Sequence, residues 1–213
     1  MRVAVELLTS WHRRMGRRGQ VPILALVVLA AGAALAARAA PVAADLHGST
    51  RSGGHTLSNA VVWLDVPSAP PLDPTRRIVL DQRNLQFSPH VLAVRVGTSV
   101  EFPNNDRVFH NVFSFRDGKV FDLGMYPVGA VRRITFDRPG LSRIFCNIHP
   151  AMAAYIMAVD SPYFGVSNDS GMFTIAGVAP GSYKYHAWHA GASELTGTWF
   201  SGSAESSLTV DWP

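Results

Sequence analysis

Beyond residue 44, no stretch of this chain keeps an apolar period of 3.6 residues for long. What recurs is the short apolar run that alternates with polar residues and stops at Gly or Pro. "VLAVRVGTSVEF", Val91 to Phe102, alternates through much of its length around a central glycine. "GMFTIAGVAPGSYKY" alternates through Phe173 and Ile175, turns at Pro180-Gly181 and resumes at Tyr183 and Tyr185. Side chains that change face at every residue suit a sheet packed on one side. The pattern predicts an all-β chain. About 169 residues follow residue 44, enough for one medium domain or two small ones. No internal repeat is visible.

The first 44 residues read differently. A basic stretch, "HRRMGRRGQ", runs into the apolar "VPILALVVLAAGAALAA" and then into the small residues "ARAAPVAAD". That order is the one a secretory signal needs, with candidate cleavage after Ala39 or Ala44. Left uncleaved, Val21 to Ala37 would be near the lower limit for a membrane span. Either way the expectation is an exported chain, periplasmic or held by its N-terminal segment. Residues 1–44 carry six Arg and one Glu, a net +5, against +4 for the whole chain. The remainder therefore sits near −1, and the high pI belongs to the leader alone. Nucleic acid loses its support as a partner.

A single cysteine in an exported chain is informative, because it has no partner with which to form an internal disulfide. Buried, it can be inert core. Its neighbours argue otherwise. "CNIHPAM" places His149 three residues after Cys146 and Met152 three after that. A thiolate is a soft, strong donor, imidazole is intermediate, and a thioether is soft and weak; with a second imidazole, the set describes a mononuclear copper site. Zinc also takes Cys and His, but a methionine ligand argues for copper. Pro150 stiffens the turn. In "GLSRIFCNIH", Ser142, Ile144 and Cys146 share one strand face, which directs the thiol inward. The second imidazole must come from elsewhere, and the best candidate is His110 in "FPNNDRVFHNVFSF". Taken singly, Cys146 as packed core, His110 as a strand residue and Met152 as loop filler are each ordinary.

Together, "FSPHVLAVRVGTSVEFPNND…HNV" and "CNIHPAM" resemble the cupredoxins, the small blue copper proteins, over roughly residues 76–160. The Cys-x-x-His-x-x-Met spacing is similar to that of amicyanin. The resemblance implies a Greek-key β-sandwich with one type 1 copper. It implies that His110, Cys146 and His149 form the trigonal plane and that Met152 makes a long axial contact. It also implies that Asn111 ties its strand to the ligand loop through its side chain. Asn147 stands where the family usually has Thr or Ser, and its amide would make the cross-loop hydrogen bond. The family's surface histidine would be His149, ringed by Pro150, Ala151 and Ala153 as an electron port.

The flanks carry their own strand patterns. "DSGMFTIAGVAPGSY" resembles the carboxypeptidase regulatory-like β-sandwich, and "LSNAVVWL" resembles the opening strands of that fold. The expectation is a smaller split sandwich made of residues 45–66 with 161–213, interrupted by the copper unit at 76–160. "VPSAPPLDPT" serves as a stiff proline-rich linker. His186 and His189, in "YHAWHAG", invite a second metal site, but residues three apart on a strand point to opposite faces. His90, beside Pro89, has no ligand context.

The function that follows is single-electron carriage between Cu(II) and Cu(I) by a protein that is not itself an enzyme. Partners would be a c-type cytochrome or a periplasmic dehydrogenase, docking weakly. The rival reading is a copper-binding or copper-handling module without electron traffic. A copper oxidase or nitrite reductase would need a second copper centre with clustered histidines, which this chain lacks.

Overall fold

A computed structural model describes residues 42–73, 75–202 and 207–213. Residues 1–41, with the candidate cleavage point after Ala39, lie outside them, whereas Ala44 lies within them. The described residues form strands and connections only, with no helix. The chain opens with β1 (Ala44–Ser52), β2 (His55–Thr56) and β3 (Val61–Leu64). A proline-rich connection leads to β4 (Ile78–Val79), β5 (Asp81–Arg83), β6 (Gln86–Ser88), β7 (Val91–Arg95) and β8 (Thr98–Pro103). There follow β9 (His110–Ser114), β10 (Phe121–Tyr126), β11 (Val131–Phe136), β12 (Gly140–Phe145) and β13 (Ala153–Val159). The chain ends with β14 (Phe164–Val166), β15 (Met172–Val178), β16 (Gly181–Trp188), β17 (Leu195–Ser201) and β18 (Ser207–Trp212).

Two sandwiches result. In the first, the sheet β10-β9-β12-β13-β7 faces the sheet β11-β8-β4. Between them lie Val94, Val100, Phe102, Val112, Phe136, Ile144 and Ile156, all buried. In the second, β15-β1-β18 faces β14-β3-β16-β17 around Leu46, Leu64, Phe173, Ile175, Val210 and Trp212. Its strands come from both ends of the chain: β1 lies between β15 and β18, and β3 between β14 and β16. The Leu64 N–H donates to the Tyr163 carbonyl at 3.0 Å, so the connections into and out of the first sandwich lie side by side.

Two runs in the sequence depart from simple alternation, and the packing explains both. "VVWL" puts Val62 and Leu64 into the second core, while Val61 and Trp63 face a third cluster. "AYIMAV" puts Ala154, Ile156 and Ala158 into the first core, and Tyr155, Met157 and Val159 into that same third cluster. The sandwiches thus share an apolar junction, and a strand buried on both faces is apolar throughout. Trp188 and Phe164 close the junction from the second sandwich, with the Trp188 and Tyr155 rings 5.3 Å apart.

The alternation through Val91–Phe102 corresponds to two strands, β7 and β8, separated by a turn. Gly97, at φ +91°, sits between β7 and β8, where L side chains fit poorly. Yet β7 pairs with β13 and β8 with β11, so the turn carries the chain from one sheet to the other. The turn at Pro180-Gly181 does the same between β15 and β16.

Candidate metal centre

Three elements bring the ligand candidates together. His110 is the first residue of β9, Cys146 follows the last residue of β12, and Met152 precedes the first residue of β13. β9 and β12 are neighbours, and Phe145 lies opposite Phe113. Inward alternation along β12 buries Ser142, Ile144 and Cys146 in turn, as the sequence predicts. The Met152 N–H donates to the His149 carbonyl at 2.9 Å and closes the ligand loop into a tight turn. Met152 is buried in the same cluster as Cys146.

The donor atoms converge. His110 Nδ1 and His149 Nδ1 are 3.0 Å apart. Cys146 Sγ lies 3.8 Å from the first and 3.6 Å from the second. Among the described residues, this is the one group of three or more His, Cys, Asp or Glu arranged to hold an ion. A trigonal ion with nitrogen at about 2.0 Å and sulfur at about 2.3 Å would separate the nitrogens by ~3.5 Å and sulfur from nitrogen by ~3.7 Å. The observed triangle differs by about half an ångström on one edge. One soft sulfur and two imidazole nitrogens, all facing one point, fit copper. They also match the chemistry of a thiolate–imidazole zinc site, which the neighbouring Met152 makes less apt.

His110 is fully buried, and a loop shaped by side chains aims its ring. Asn104, also fully buried, donates through Nδ2 to the Val108 and Tyr126 carbonyls at 2.8 and 3.2 Å. Its Oδ1 accepts from the Asp106 N–H at 3.1 Å. This winding turns Asp106 back toward the ring, with Oδ2 2.9 Å from His110 Nε2. A proton held on Nε2 by that carboxylate leaves Nδ1 as the lone-pair donor facing the thiol. The Leu85 N–H also donates to Asp106, at 2.7 Å. That bond, with smaller help from His110 and Arg107, holds the Asp106 carboxyl down to about 2 against the opposing effect of burial. On the strand beside β9, Tyr126 pairs with His110. Its phenol accepts from Gln82 Nε2 at 2.5 Å and donates to the Phe102 carbonyl at 3.1 Å; burial pushes it up to about 12. Neither Asp106 nor Tyr126 stands out by residue type, and only the "NND" turn signal points to the loop.

The outer hydrogen bonds expected of the two asparagines are corrected. Asn111 does not reach the ligand loop. Its Nδ2 donates at 2.6 Å to Asp122 Oδ1 on β10, which also accepts the Gly124 N–H at 2.8 Å. The register shift between Asp122 and Met125 opens that carboxylate toward β9, and a charged acceptor outbids a neutral one. Asn111 Oδ1 is left buried without a partner. Asn147 is exposed, and among the described residues its side chain makes no hydrogen bond. His149 is half-buried, flanked by exposed Ile148, Pro150 and Ala151. Ala153 is half-buried, and its carbonyl faces His90 Nδ1 at 3.2 Å, which gives His90 a structural role.

Among the described residues, His186 and His189 are not gathered into a second cluster of donor atoms. The His186 ring stacks on Trp63 at 5.0 Å, with Nδ1 2.7 Å from Glu194 Oε1 and Nε2 3.1 Å from Asp65 Oδ2. Those carboxylates lie on opposite edges of the ring, so no one ion reaches both through it. His189 follows the end of β16 and lies against Trp212.

No family model matches the chain, and no curated protein does. Solved structures that resemble part of it include a purple cupredoxin from Nitrosopumilus maritimus, 24% identical over 38% of this chain and 99% of its own, with a TM-score of 0.36. A copper-containing nitrite reductase from Thermus scotoductus is 28% identical over 45% of this chain and 25% of its own, with a TM-score of 0.39. A reduced amicyanin mutant is 23% identical over 46% of this chain and 99% of its own, with a TM-score of 0.37.

Proposed function

We propose that this protein is an exported, mononuclear type 1 copper protein of the cupredoxin kind that carries single electrons. The observation that carries the reading is the convergence of two imidazole Nδ1 atoms and one thiol at the end of a β-sandwich. Met152 would be the weak fourth donor; its burial in the same cluster as Cys146 and the bond of its N–H to the His149 carbonyl support this. Copper bound there would supply a one-electron couple.

The chain's own residues do the rest. Asp106 fixes the His110 ring, and the turn closed by Met152 and His149 fixes the loop. Donors already close to their working separations move little when charge on the ion changes. Burial of Cys146 and His110 keeps water from the thiolate side. The half-buried His149 ring, with Ile148, Pro150 and Ala151 around it, is the route to a partner, a c-type cytochrome or a periplasmic dehydrogenase. We read residues 45–66 with 161–213 as one accessory domain interrupted by residues 76–160; the pairing of β1 with β15 and β18 supports this.

The test is the visible and electron paramagnetic spectrum of the Cu(II)-loaded protein. We expect an intense thiolate-to-copper band that Cys146→Ser abolishes and Met152→Leu preserves, with a raised potential in the latter. A colourless wild-type complex would end the type 1 reading. A coloured one that exchanges electrons with no oxidised cytochrome would favour a copper-handling module.

A further inference from the structure

The pole that carries His149 is apolar over a wider area than the ligand loop. Leu85, Val108, Phe109, Val128 and Ile148 are each 41–54% exposed. They come from four connections joined to one another: the Leu85 N–H bonds Asp106, and the Gly129 N–H bonds the Asn104 carbonyl at 2.7 Å. Three arginines belong to the same connections or to strands beside them. Arg107 precedes Val108, Arg83 precedes the Asn84-Leu85 turn, and Arg132 lies over the Tyr126 ring at 5.6 Å. Among the described residues neither Arg107 nor Arg132 has a carboxylate within ion-pair distance, and Arg83 has Asp81 only at 3.5 Å. The carboxylates of the same pole are engaged with the protein. Asp106 serves His110, Leu85 and Arg107, and Asp81 accepts from Asn105 and from the Gln82 N–H.

The charge of the whole chain repeats this local bias. Residues 76–160 hold eleven Lys and Arg against seven Asp and Glu, a net +4. Residues 45–66 with 161–213 hold two against six, a net −4. A near-neutral mature chain is therefore divided into a basic metal sandwich and an acidic companion. Such a division orients an approaching charged protein before contact, and the apolar patch then holds it briefly.

We propose that the metal pole docks a redox protein with an acidic face, and that the opposed charges of the two sandwiches steer that face onto Leu85, Val108, Phe109 and Ile148. The inference rests on the electron-carrier reading and specifies its partner. A complex built on so small a patch is weak and dissociates quickly, as repeated electron delivery requires.

The experiment titrates the isotope-labelled, metal-free full chain with an acidic c-type cytochrome and, separately, with a basic one of similar size. The acidic cytochrome should shift the amide signals of Val108, Phe109, Val128 and Ile148. Raising salt from about 10 to about 150 mM should weaken its binding about tenfold. Arg83→Glu with Arg107→Glu should also weaken it about tenfold, whereas Arg51→Glu on β1 should change it less than about twofold. Tighter binding of the basic cytochrome, shifts confined to another face, or self-association through this pole would overturn the inference. Because no metal is present, the result is independent of the colour test. A coloured copper site without acidic docking sinks the surface alone, and acidic docking without a coloured site sinks the copper reading alone.

Discussion

Asp106 carries more of the candidate metal site than its residue type suggests. It joins the His110 ring to the Leu85 hairpin tip and thereby holds the tautomer and the angle of a buried candidate ligand. Asp106→Ala would leave Nε2 without its acceptor in a buried position. Copper affinity should fall about 10- to 100-fold, the range seen for the loss of a ligand's supporting carboxylate. A competition titration against a chelator of known affinity measures it, and an unchanged affinity would assign Asp106 to the loop alone. At this scale the sequence is legible where chemistry is local. Cys146 and His149, whose donor atoms lie close to that of His110, stand out by type and spacing within one loop. Asp106 does not, because its approach to His110 depends on how Asn104 winds the intervening backbone. Asn111 misleads for a related reason: residue type fixes what an amide can bond, and the carboxylate that a neighbouring strand offers decides what it does bond.

Single strands show where close packing leaves no room. On β1, a Cβ at Gly48 would lie 2.2 Å from the Phe173 ring and 2.5 Å from the Leu208 carbonyl. The ring can turn aside, but the carbonyl belongs to the paired strand β18 and can move only with it. Gly48→Ala should cost about 1–3 kcal/mol, read as a lower urea midpoint, and a gain in stability would contradict the close approach. On β8, Glu101 is nearly buried between Arg77 and Arg133. The Arg77 bond, aided by Arg133, holds its carboxyl below the ordinary value of 4.5 against the opposing effect of burial. A depressed carboxyl contributes stability that is complete above the unfolded value and is lost as pH falls through the folded one. Glu101→Gln should therefore be less stable than wild type at neutral pH, and the gap should close as acid is added below about pH 4.5. Acid-dependent urea melts of the two proteins decide it. The strands themselves are legible, since alternation and Gly or Pro breaks mark their ends. Their partners are not: β7 and β8 adjoin across one turn yet pair in different sheets, because closing a sandwich depends on the far strands β13 and β11.

Over the whole molecule, the apolar junction matters most. Val91, Ala93, Met157 and Val159 from one sandwich meet Val61, Trp63, Phe164 and Trp188 from the other. Apolar surface shared in this way couples the unfolding of its owners, so calorimetry should record one transition. Trp188→Ala, at a cost of about 3 kcal/mol, should split it in two, with only one of the pair rising when copper is added. Two transitions already present in the wild type would mean that the junction is weak. Strand patterns at both ends of the chain were legible in the sequence, but the junction was not. Only after β3 and β13 are seen to be covered on both faces do their unbroken apolar runs identify it.

The pairing of β1 with β18 also governs how the chain is made. Ser49 and Thr209, opposite each other across that pair, are 160 positions apart. At about 5–20 residues per second, the opening strands emerge from the ribosome on the order of ten to thirty seconds before their last partner exists. Throughout that interval the backbone edge of β1 that β18 will pair stands open, and whatever escorts the nascent polypeptide must shield it until β18 arrives.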